Sequence, residues 1–150
     1  MPARNIFKNC FYYWVLSGIF LSYFIYSPTA PTAGPVSPLF TFSGLVLFAI
    51  GELGNLNSHI LLRGLRSSGG KERGIPHGLG FDLVTCPNYM FETMTWIGVV
   101  LVTRSWASVA FAIAGVVQMA SWAWQKERRY RREFGDRYKK KKYAILPGLY

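Results

Sequence analysis

Apolar residues along this chain come in long runs, separated by short stretches that are polar or rich in glycine and proline. The runs have the length of membrane helices rather than of buried strands. The first extends from about Phe11 to Tyr26 and is followed by SPTAPTAGPVSP, an uncharged link that cannot continue a helix and reads as a short non-cytoplasmic loop. The second runs from about Leu39 to Leu62. It begins apolar all round, then places Glu52, Asn55, His59, Arg63 and Arg66 three or four residues apart, so its far end has one polar, cationic face. Ser67 to Gly80 is a glycine-rich basic loop. The third run, Tyr89 to Thr103, is short for a full crossing, and Leu79 onward adds an irregular approach. Arg104-Ser105-Trp106 makes a turn, and the fourth run, Ala107 to Trp124, is rich in small residues that let helices approach closely. Gln125 to Tyr150 is a basic tail. The pattern predicts an all-α integral membrane protein with about four transmembrane helices and a basic cytosolic C-terminal tail.

Composition agrees with this pattern. Of 150 residues, 51% are hydrophobic and 17% aromatic, yet the net charge is +10. A nucleic-acid binder could carry that charge but not these apolar runs, so no nucleic-acid partner is expected. Of seventeen Lys and Arg, ten lie in the tail, four between Arg63 and Arg73, two before the first run, and only Arg104 remains. Four spans put the first three groups on one side, and the positive-inside rule makes that side the cytosol, with both termini there. Lys139 to Lys142 then meet the anionic surface of membrane lipid. Cys10 and Cys86 are too few for a disulfide framework, and neither has metal-ligand spacing with His59 or His77. The chain has no GxGxxG after a strand and no Walker loop. The first run lacks a clean cleavage site and reads as a retained helix.

The chemistry concentrates in Phe81 to Trp96, FDLVTCPNYMFETMTW. A helix beginning near Pro87 puts Asn88, Glu92 and Trp96 on one stripe with Tyr89 beside it. An amide, a phenol and a carboxylate at the mouth of a membrane segment are costly unless something polar meets them. The residues alone leave two readings open. In one they form a site. In the other Tyr89 is an interfacial aromatic, Asn88 a helix cap and Glu92 solvated. The polar end of the second run is likewise either a site or an ordinary amphipathic helix end. The Gly-rich loop either closes Lys71 and Arg73 over phosphates or is a plain connector.

Cys86-Pro87-Asn88-Tyr89, Glu92, Trp96 and Gly98 resemble the signature of the C-terminal domain of the steroid 5α-reductase family. The CPNY form is similar to that of its very-long-chain trans-2-enoyl-CoA reductases. Asn55 with Leu62-Arg63-Gly64-Leu65-Arg66, Arg73 before Ile75-Pro76, and Phe134, Asp136, Tyr138 and Ile145-Leu146-Pro147 match further family elements. His59 stands where steroid reductases tend to be acidic. The resemblance implies that residues 1–150 are the cofactor-binding C-terminal half of such an enzyme, without the family's N-terminal half. It implies NADPH as cofactor, reached by Asn55, His59, Arg66, Arg73, Asn88, Glu92, Lys126 and Tyr130. It implies Tyr89 as proton donor in reducing a very-long-chain enoyl-CoA, the last step of fatty-acid elongation. An endoplasmic reticulum location follows, with the elongase, ketoacyl reductase and dehydratase of that cycle as partners. Three alternatives stand beside it: a steroid or polyprenol reductase, a non-catalytic subunit, and an isoprenylcysteine-type methyltransferase. The last shares a tail like Glu133-Phe134-Gly135-Asp136-Arg137-Tyr138, but its Arg-His-Pro element is missing here.

Overall fold

The structure, a computed structural model, describes residues 3–28, 37–65, 74–139, 141 and 143–148, with side chains from residue 6. The first element is one continuous helical rod: α1 (Ala3–Cys10), a π-helical stretch (Phe11–Leu21) and α2 (Ser22–Tyr26). Three longer helices follow: α3 (Pro38–Gly64), α4 (Pro87–Thr103) and α5 (Trp106–Phe134), the last ending in a 3-10 turn, Gly135–Arg137. Among the described residues the only pairing of β type is one parallel bridge between Val84 and Tyr143.

Among the described residues, two helices are long and apolar enough to cross a membrane, Pro38–Gly64 and Trp106–Arg137. The N-terminal rod is divided among shorter helical segments, and α4 has 17 residues. At 1.5 Å per residue α4 reaches roughly 26 Å, slightly less than a hydrocarbon core. The expected irregular approach is present from Ile75 to Cys86. Gly80 has a left-handed φ of +80°, and a Cβ there would lie 2.7 Å from the Cβ of Pro87. The chain therefore needs glycine to turn tightly into α4. At the other end Arg104 caps α4 in the left-handed conformation, and the Ser105 hydroxyl accepts from the Ala107 N–H at 3.3 Å to start α5.

The closest packing lies between α3 and α4. The side of α3 that is buried reads Gly44, Gly51, Gly54 and Ser58. Gly44 and Gly98 abut, and a Cβ on Gly98 would sit 2.6 Å from the Gly44 carbonyl oxygen. The small residues expected to bring helices together in the fourth run do so at Gly115 against Tyr12, but the tighter contact is this glycine side of α3. The outer side of α3 leaves Leu39, Phe42, Leu45 and Leu53 more than half exposed.

Two apolar clusters hold α5 to the rest. Leu21, Ala107 and Phe111 join the N-terminal rod to the start of α5, with the Trp96 ring tilted against Phe111, their centres 4.6 Å apart. Cys86, Met119, Ala123 and Ile145 join the start of α4 to α5 and to the returning tail.

Candidate active site at the start of α4

Cys86 sits at the N-cap of α4 and Pro87 in its first turn, where a missing N–H costs nothing. That geometry turns Asn88, Tyr89 and Glu92 toward different neighbours. Asn88 is buried, and its backbone carbonyl accepts a hydrogen bond from the Asn55 amide of α3 at 3.2 Å. The two asparagines expected in one site are thus joined across the α3–α4 contact. Tyr89 is half-buried against the Cys86–Met119–Ala123–Ile145 cluster, its ring 6.2 Å from that of Trp122.

Glu92 is half-buried and, with Lys8, Tyr12, Gln118 and Trp122, lines a cavity of about 290 Å³ between the N-terminal rod, α4 and α5. Lys8 donates to the Gln118 side chain there, and its ammonium lies 5.9 Å from the Trp122 ring centre. Glu92 is also within coulombic reach of His59 and Glu52, both exposed on α3. Lys126 is half-buried with its ammonium 5.7 Å over the Tyr130 ring, while Tyr130 is buried and packs on Phe134 and Tyr138. Arg66 and Arg73, like Lys71, lie outside the described residues.

A second polar group adjoins the site, and no sequence pattern singled it out. Glu127, 7% exposed on α5, accepts hydrogen bonds from the Thr85 hydroxyl at 2.6 Å, the Tyr138 phenol at 2.6 Å and the Arg131 guanidinium at 3.0 Å. Beside it the tail pairs with the approach to α4: the Thr85 N–H donates to the Tyr143 carbonyl at 3.1 Å and the Cys86 N–H to the Ala144 carbonyl at 3.0 Å. The available signal was slight: Glu127 is an acid within the otherwise basic run from Lys126 to Arg132.

Glu127 lies beyond the apolar part of α5, which ends near Trp124. Burial alone would raise its carboxyl, but the hydrogen bonds from Thr85, Tyr138 and Arg131, with the Arg131 charge, outweigh burial and hold it below its ordinary value of 4.5. Burial, and the hydrogen bond given to Glu127, push the Tyr138 phenol up. A depressed carboxyl contributes stability that is present above its unfolded value and is lost as pH falls through its folded one. Glu127→Gln is therefore expected to cost about 2 kcal/mol at neutral pH. The difference from the unaltered protein should close as pH drops below 4.5. Thermal unfolding of both proteins in detergent, at several pH values, checks this; a gap constant down to acid pH contradicts it.

The family described as 3-oxo-5-alpha-steroid 4-dehydrogenase matches residues 1–150. A very-long-chain enoyl-CoA reductase from Dictyostelium discoideum is 46% identical over 149 residues, covering 99% of this chain and 48% of that protein. A steroid 5-alpha-reductase, DET2, from Solanum lycopersicum is 40% identical over 107 residues, 71% of this chain and 41% of its own. A trans-2,3-enoyl-CoA reductase-like protein from Mus musculus is 29% identical over 153 residues, with 97% and 41% covered. The chain thus spans about half the length of these relatives or somewhat less. With that family matched over residues 1–150, the chain belongs to the 3-oxo-5-alpha-steroid 4-dehydrogenase family.

Proposed function

We propose that this chain is the cofactor-binding half of an NADPH-dependent reductase acting on the trans-2 double bond of very-long-chain enoyl-CoA, at the last step of fatty-acid elongation. The observation that carries the reading is the Asn55–Asn88 hydrogen bond, which joins two polar helix ends that are separate in sequence. The donor set suits a nicotinamide nucleotide. Asn55 and Asn88 offer amides for a carboxamide and ribose, and Lys126 offers charge for phosphate. Arg66 and Arg73 would add to that charge, His59 and Glu92 would hold polar edges, and Tyr130 would offer an aromatic face. When bound, NADPH supplies the hydride that goes to the β-carbon.

The residues of this chain manage the proton and the charge. Hydride addition to the enoyl thioester leaves negative charge spread from the α-carbon to the thioester oxygen. The Tyr89 phenol, neutral at pH 7, donates its proton to the α-carbon and is replenished from solvent. Glu92 orients Asn88 or Tyr89 rather than acting as the acid. In this reading four helices span the endoplasmic reticulum membrane, with α3 facing lipid through its outer side. Both termini and residues 63–80 lie in the cytosol, where the elongation partners and the nucleotide meet the protein.

Binding by the detergent-purified protein tests the reading: NADPH should bind and S-adenosylmethionine should not. Asn55→Ala is expected to weaken NADPH binding by about 1–3 kcal/mol, the cost of leaving a buried polar partner unpaired, or roughly 5- to 150-fold. Acyl-CoA binding should stay near normal. Unchanged nucleotide affinity in the Asn55→Ala/Asn88→Ala double variant would remove both residues from the site.

A further inference from the structure

We infer that Glu127 is a positioning residue for the reaction. It latches the C-terminal tail onto the start of α4 and so fixes where Tyr89 sits. The inference rests on the reductase reading above and adds to it a residue, Glu127, that none of the sequence motifs includes.

The start of α4 is held from two sides. From α3, the Asn55 amide holds the Asn88 carbonyl at 3.2 Å. From the other side comes a clamp in three layers. Glu127 takes the Thr85 hydroxyl and the Tyr138 phenol at 2.6 Å each, joining α5, the approach to α4 and the tail through one carboxylate. The Tyr143 and Ala144 carbonyls take the N–H groups of Thr85 and Cys86. Ile145, 1% exposed, closes the apolar layer with Cys86, Met119 and Ala123, and Tyr89 packs against that same layer.

A carboxylate is suited to this junction because it only accepts, and its two oxygens take three donors from three segments at once. Glutamine would put its N–H₂ group either at the position that takes both the Thr85 and Tyr138 hydroxyls or at the one that takes the Arg131 guanidinium. Those hydroxyls have shorter contacts with Glu127 than ordinary neutral pairs make, as charge-assisted bonds do. Loss of the latch leaves α4 attached to α3 but frees its first turn on the tail side. Tyr89 is in that turn. Displacements of about 1 Å in a reacting group can lower turnover by about 100-fold, so a residue that never meets substrate acts on the rate through Tyr89.

The test uses the full chain in membranes, with Glu127→Gln and the milder Tyr138→Phe, which removes one donor and no volume of consequence. Two readouts are taken. One is the fluorine resonance of 3-fluorotyrosine placed at position 89, which reports its surroundings whether or not turnover occurs. The other is the steady-state rate per folded molecule, divided into kcat and KM. A single fluorine line in the unaltered protein should shift or split in both variants. At the same time kcat should fall by about 10- to 100-fold, with KM for nucleotide and enoyl-CoA within a factor of about two. An unmoved fluorine line, or a kcat per folded molecule equal to that of the unaltered protein, overturns the positioning role and leaves Glu127 as a stabilising residue only. An unaltered protein that neither binds NADPH nor reduces enoyl-CoA overturns the reductase reading itself, and the proposal falls with it.

Discussion

In a full-length context, Tyr89→Phe is expected to lower enoyl-CoA reduction by about 10²–10⁴-fold, the usual range for losing a general acid, while NADPH still binds. The substitution removes one oxygen and keeps the ring. The packing of residue 89 against Cys86, Met119, Ala123 and Ile145, and its tilt against Trp122, should therefore survive. That makes the variant a discriminating one. If Tyr89 is an interfacial aromatic, phenylalanine serves nearly as well in a half-buried position and turnover barely changes. If Tyr89 donates the proton, the variant binds both substrates but hydride addition itself slows, because the charge it creates is no longer neutralised. Single-turnover reduction, followed by loss of the nicotinamide absorbance and by the solvent isotope effect, separates the two. Near-normal turnover with an unaltered isotope effect would remove Tyr89 from the mechanism.

The second large effect belongs to the α3–α4 contact. A methyl group at Gly51 would lie against the Thr95 hydroxyl, 2.6 Å from the Thr95 backbone nitrogen and 2.8 Å from the Phe91 carbonyl oxygen. Two of these neighbours are backbone atoms of another helix, which cannot rotate away. Gly51→Ala should therefore push the helices apart, at the upper end of the usual overpacking cost of about 1–3 kcal/mol or beyond it. Helix separation also stretches the Asn55–Asn88 hydrogen bond one turn further along, so nucleotide binding should weaken together with stability. Gly64→Ala serves as the control. A Cβ there meets nothing within 4 Å among the described residues, and alanine favours a helix more than glycine by up to about 1 kcal/mol. Unfolding temperatures and nucleotide affinities measured for both variants should differ sharply. Indistinguishable results for Gly51→Ala and the unaltered protein would show that the two helices are not held at this distance.

Much of the helical framework was legible in the sequence. The second run was expected from Leu39 to Leu62 and the helix occupies Pro38–Gly64; the third was expected to start near Pro87 and does. Both follow from hydropathy and from proline's tolerance of a first turn. The end of α5 was not legible in the same way. The apolar run stops near Trp124, but the helix continues to Phe134 because Lys, Glu and Arg are good helix formers and Arg129 pairs with Glu133 one turn on. Hydropathy marks where lipid contact ends, not where backbone hydrogen bonding ends.

Among the candidate site residues, the contact of Asn55 with Asn88 was foreshadowed by the motif and by the side of the membrane expected for both. The Glu127 junction was not. Its partners Thr85 and Tyr138 are far from it along the chain or set in a turn, and no helical or strand period links such positions. The glycine side of α3 was partly hidden for a related reason. Gly44, Gly51 and Gly54 look like unremarkable members of an apolar run until a second backbone is laid against them.

The Glu127 junction also bears on the order of events during synthesis. Thr85 and Glu127 stand 42 residues apart in sequence, which at about 5–20 residues per second is a delay of roughly 2–8 s. During that interval α3 and α4 can already pair through their glycines. The Thr85 hydroxyl, and the N–H groups that later bond the tail, have not yet met their partners. The start of α4 therefore lacks these partners until the tail has been made.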